Sequence, residues 1–204
     1  DLKHIEESHP SKPGKPNYSN IKATTEVAFQ RAIYKSSTLL NNCSSDILES
    51  IDWIDIEIPV VLNKNGRRPC IDIIGSTKNN LILCELKYKG NSNPTDSPIY
   101  AVYELLIYYY LVCCNYENLD KGKVYHKSAI TKNFNWGDYL INKPPKLLVT
   151  ANASYWNYWF ENKINVSELL KEISDLEKDL QIEIQLFQTE DDNYLRMKVR
   201  NNYR

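Results

Sequence analysis

The stretch Leu81-Ile82-Leu83-Cys84-Glu85-Leu86-Lys87-Tyr88 limits what this chain can fold into more than any other. Side chains two apart on a strand point the same way, so Leu81 and Leu83 share one face while Ile82, Cys84 and Leu86 share the other. A strand that is apolar on both faces must be covered on both, which calls for a sheet with helices packed on it. Glu85 and Lys87 then interrupt a single face. A charge in that setting is costly and has to be paired or bound to a metal. The preceding segment repeats the anomaly, with Asp72 inside Ile71-Asp72-Ile73-Ile74. A hairpin joining the two strands can bring Asp72 beside Glu85. Two carboxylates that close raise each other's pKa unless a cation lies between them, and such an oxygen-rich site suits Mg²⁺ or Mn²⁺. A solvent-facing pair worth under about 1 kcal/mol is the simpler account of any one of these residues. Three charges on two adjacent apolar strands outweigh it.

The rest of the chain supplies the cover. Thr24 or Thr25 can cap a helix with apolar positions Val27, Phe29, Ile33 and Leu40. Ile54, Ile56 and Ile58 alternate with Asp55 and Glu57, the spacing of a half-buried strand. That strand runs on to a turn at Asn63-Lys64-Asn65-Gly66, where Asn-Gly signals a hairpin. With strands over residues 70–74 and 81–88 it makes an antiparallel meander. A loop follows over 89–98, then a tyrosine-rich helix over about residues 99–114, whose tyrosines are expected mostly to pack in the core. Residues 115–145 are weakly patterned. Lys146-Leu147-Leu148-Val149-Thr150 reads as a short strand, 166–180 as an amphipathic helix, and 182–187 as a final strand. Residues 1–20, with Pro10, Pro13, Gly14 and Pro16, read as an extended arm before a single domain over 21–204. The fold class expected is α/β, in the order α-β-β-β-α-β-α-β.

Charge and cysteine usage exclude several classes of protein. The 25 Lys and Arg against 26 Asp and Glu rule out a polycationic surface while leaving room for a local basic groove. No apolar run reaches the roughly 18–20 residues that cross a bilayer, so no membrane partner is expected. Cys43, Cys70, Cys84, Cys113 and Cys114 form no CxxC pair, which points to a reducing, cytoplasmic compartment. The chain opens at Asp1 with Met197 as its only methionine, which reads as a fragment with an upstream domain missing.

Asp72 and Glu85-Leu86-Lys87 together resemble the PD-(D/E)XK nuclease superfamily, the restriction-endonuclease-like fold. That superfamily is recognised by a helix glutamate, a strand aspartate and a (D/E)-x-K triplet on the next strand. Asp72 matches the aspartate, Glu85-Leu86-Lys87 the triplet, and Glu26 in Thr25-Glu26-Val27-Ala28-Phe29 stands where the helix glutamate falls. The similarity spans about residues 24–150. It departs from the pattern at Pro69, three residues before Asp72, and at Glu104 and Tyr108, where some relatives carry Gln-x3-Tyr.

The resemblance implies a central mixed β-sheet flanked by helices and Mg²⁺- or Mn²⁺-dependent hydrolysis of phosphodiester bonds in nucleic acid, DNA rather than RNA. It makes Asp72 and Glu85 metal ligands, with the Leu86 carbonyl as a third, and gives Glu26 a second ion or a metal water. Lys87 would orient the attacking water. Lys64, Arg67 and Arg68 before Asp72, Lys78 at the next turn and Lys89 past the triplet would face phosphate. Homodimers, common in the superfamily, are expected by analogy. The rival reading is an inactive nucleic-acid- or protein-binding module on the same fold, which the near-zero net charge favours. A plain structural domain would follow if Asp72 and Glu85 lay far apart.

Overall fold

The computed structural model describes residues 25–35, 38–41, 48–61, 69–122, 135–142, 145–161, 163–190 and 193–199. The expected arm, the Asn-Gly turn, Lys64, Arg67 and Arg68 lie outside them.

Helix α1 (Glu26–Lys35) opens with Thr25 Oγ1 accepting from the Ala28 N–H at 3.2 Å. It buries Phe29, Ala32 and Ile33. The helix stops short of Leu40, which the apolar spacing had placed on it. Leu39 and Leu40 instead fall in strand β1 (Thr38–Asn41), whose pairing with residues 48–51 holds that segment extended.

Strands β2 (Leu48–Pro59), β3 (Cys70–Ser76) and β4 (Leu81–Lys87) form the expected antiparallel meander. Helices α2 (Pro98–Gly122) and α3 (Trp136–Asn142) carry the chain across to β5 (Pro145–Ala151), parallel to β4. Then α4 (Ala153–Phe160) and α5 (Val166–Leu180) lead to β6 (Glu183–Glu190), parallel to β5. Strand β7 (Asn193–Val199) returns antiparallel to β6 and pairs in parallel with β1, so the ladder closes on itself. The class is α/β, with a mixed sheet flanked by helices, as expected. Among the described residues the element order is α-β-β-β-β-α-α-β-α-α-β-β; β1, α3, α4 and β7 add to the expected order, and β1 and α3 are only four and seven residues long.

The mixed sheet explains the apolar runs. β4 has an antiparallel neighbour on one side and a parallel one on the other, and it is buried at every position. Ile58, Ile71, Leu81, Leu83, Leu147 and Val149 pack with α2, α4 and α5 on one face. Phe29 and Ile33 of α1 pack with Trp53, Ile56, Ile73, Ile82, Cys84 and Leu86 on the other.

Strict alternation fails in β2, where Ile56 joins the α1 side while Ile54 and Ile58 join the other. The register slips between Trp53 and Asp55, and Glu57 has φ 52°, so the two irregularities turn Ile56 over. On α2 the tyrosines divide: Tyr100, Tyr103 and Tyr110 are exposed and Tyr108 and Tyr109 half-buried, since the sheet covers only one side of a helix apolar all round. Among the described residues no helix is long and apolar enough to cross a membrane.

Candidate active site

The hairpin of β3 and β4 brings Asp72 to the triplet. The Leu86 N–H donates to Asp72 Oδ2 at 2.8 Å, and Gln30 on α1 donates through Nε2 to the Asp72 carbonyl at 3.0 Å and to Oδ1 at 3.4 Å. Asp72 is thus held from the strand on one side and from the helix on the other. Its position lies between the pairs Ile56–Ile73 and Ile58–Ile71, as does that of Glu57, the residue with left-handed backbone. Such strain costs about 1–3 kcal/mol and gathers at functional sites.

Lys87 gathers the acids. Its Nζ lies 3.0 Å from Glu85 Oε1, 3.0 Å from Glu104 Oε2 and 3.5 Å from Asp96 Oδ2. The Lys87 and Glu85 side chains are 8% and 6% exposed, so this is a buried pair and no surface ornament. Glu104 turns its other oxygen to Tyr108, whose hydroxyl donates at 2.8 Å from one turn further along α2. The Tyr155 hydroxyl donates to the Asp96 carbonyl at 2.8 Å, tying the 88–97 loop to α4. Glu85 Oε2 is buried and has no hydrogen-bond partner among the described residues.

Glu26 reaches the same end of β4 from the first turn of α1, where its Oε2 accepts from the Tyr88 N–H at 3.2 Å. Lys89 is locked by its backbone: its N–H donates to Asn152 Oδ1 and its carbonyl accepts from Asn152 Nδ2, each at 3.0 Å. Lys78 sits in the turn between β3 and β4, at the opposite end of the hairpin from Glu85 and Lys87, so it does not join a phosphate-facing patch.

Burial pushes Asp72 up to about 7, against the Leu86 N–H and Lys87, which pull it down. Burial and then the neighbouring Asp72 hold Glu85 well above the carboxylate range, although Lys87 opposes both. Glu26 is also raised by burial, again against Lys87. Burial alone would depress Lys87; Glu85 and Glu104 outweigh it and hold the ammonium above its ordinary value. The surrounding acids thus favour the charged form of Lys87.

These donors can be tested against the hard cation expected. Among the described residues no group of three or more His, Cys, Asp or Glu side chains is gathered to hold a metal. Asp72 and Glu85 nevertheless offer two carboxylates, one with a buried oxygen that has no hydrogen-bond partner among the described residues. Mg²⁺ is commonly bound by one or two carboxylates, with water and substrate phosphate completing its shell, so a donor set this small fits it.

Gln30, Asp96, Asn152 and Tyr155 were not singled out from the sequence. Gln30 had a signal, one helical turn after Glu26. Asp96 and Tyr155 had none, because their partners come from elements that meet only in the fold. Comparison with known proteins returns nothing: no family model, no curated protein and no solved structure matches this chain.

Proposed function

We propose that this protein is a metal-dependent nuclease hydrolysing phosphodiester bonds, with DNA the first substrate to test. What supports the reading above all is Glu85, with one buried oxygen that has no hydrogen-bond partner among the described residues, on the strand paired with that of Asp72. Asp72, Glu85 and the Leu86 carbonyl would hold a Mg²⁺ or Mn²⁺ ion, with Glu26 at the rim for a second ion or a bound water. Such an ion supplies positive charge opposite the reacting phosphate and makes a water easier to deprotonate.

The chain's own groups do the rest. Lys87 can orient the water through its N–H donors and offset charge on the phosphate. Glu104 and Asp96 hold that ammonium in place, and Tyr108 holds Glu104. Gln30 and the Leu86 N–H fix the direction in which Asp72 points.

Purified protein should cut plasmid or oligonucleotide DNA with Mg²⁺ or Mn²⁺, and lose that activity in EDTA or on Lys87→Ala. Metal-independent cleavage, or full activity in the Lys87→Ala variant, would overturn the assignment. One observation favours the rival, a binding module without turnover: Lys87 is already occupied by three acids. Calorimetric titration with Mn²⁺ separates the two, since the module predicts no binding that depends on Asp72.

A further inference from the structure

Beyond the triplet lies a second cluster. Lys89 Nζ is 5.8 Å and Lys163 Nζ 5.7 Å from the centre of the Tyr158 ring. Among the described residues neither ammonium has a carboxylate within ion-pair distance; Lys89 Nζ reaches only the Gly90 carbonyl, at 3.5 Å. Two like charges on one ring repel each other, and the ring's electron-rich face compensates only in part. A phosphate beside these ammonium groups would offset their charge.

The cluster is also fastened to the candidate active site. Lys89 is two residues past Lys87, and the paired hydrogen bonds to Asn152 join its backbone to the residue that caps α4, the helix carrying Tyr158. Resting on the nuclease reading, we propose that Lys89 and Lys163, positioned by Tyr158, bind the phosphodiester backbone of the nucleic-acid strand leaving that site. The contacts are to phosphate and carry no base preference. Tyr158 is a positioning residue, since it holds the two ammonium groups.

Anisotropy of a fluorescein-labelled single-stranded DNA oligonucleotide, read in EDTA over a series of KCl concentrations, tests this without cleavage. Each phosphate contact to a single strand contributes about 0.7 to the slope of log affinity against log salt. Lys89→Ala and Lys163→Ala should each lower the slope by about that amount, and the double variant by about twice it. Lys89→Arg and Lys163→Arg should keep the slope, which separates loss of charge from loss of fold. Tyr158→Leu should weaken binding with both lysines present. Lys121→Ala, at the far end of α2, serves as the control and should change nothing. An unaltered slope in the double variant, or an equal drop in the Lys121→Ala control, overturns the inference and leaves the nuclease reading standing. Failure of the wild-type protein to bind the oligonucleotide at low salt also overturns the inference, while the nuclease reading is judged separately by cleavage with Mg²⁺ or Mn²⁺.

Discussion

At the residue scale, Lys87 has Glu85 and Glu104 at 3.0 Å on either side. Breaking a buried pair by removing one partner costs about 3–5 kcal/mol, so Lys87→Ala should lose stability in a urea melt as well as activity. Glu104→Ala should reduce cleavage about 10–100-fold, as loss of an orienting partner does. Glu104→Gln should recover most of it, because an amide oxygen still accepts from Lys87 and the amide N–H₂ can bond Tyr108. Asp72 makes the pH prediction. Its pKa is raised from an ordinary carboxylate value to about 7, so the folded state binds the extra proton. Stability in EDTA should therefore fall as pH rises from the carboxylate range through about 7, and Asp72→Asn should flatten that part of the profile. Mn²⁺ added at the alkaline end should restore the thermal midpoint; a midpoint indifferent to the ion would count against the metal assignment. Asp72, Glu85 and Lys87 stood out in the sequence because a charge inside an apolar strand is conspicuous. Asp96 did not, since a loop aspartate looks the same whether it faces water or a buried lysine.

At the scale of elements, Gly75 and Asn152 carry the local tests. A Cβ on Gly75 would stand 2.7 Å from Trp53 Cε3 and 2.8 Å from Ile51 Cγ2, in the core between α1 and the sheet. Gly75→Ala should cost about 1–3 kcal/mol by overpacking, read by denaturant unfolding. Asn152 caps α4 and holds Lys89, so Asn152→Ala should cost about 1–2 kcal/mol and loosen the lysine beside the site. The meander, α5 and the KLLVT strand were legible from period and punctuation. Helix α1 was overextended because a lone leucine at the right spacing mimics another turn. The face of Ile56 was misassigned because a bulge and a left-handed residue leave no mark on the order of apolar residues.

For the whole molecule, α/β class and a two-sided sheet were readable, whereas closure was not. The β1–β7 pairing joins Leu39, Leu40 and Asn41 to Arg196, Met197 and Lys198, and no local pattern announces a contact so distant along the chain. A ribosome making this protein releases β1 well before β7, its closing partner. While synthesis continues, the β1 edge and the underside of α1 have no finished ring to enter, and they are open to pairing with another nascent chain. The arrival of β7 thus governs how long the unfinished polypeptide is exposed to aggregation.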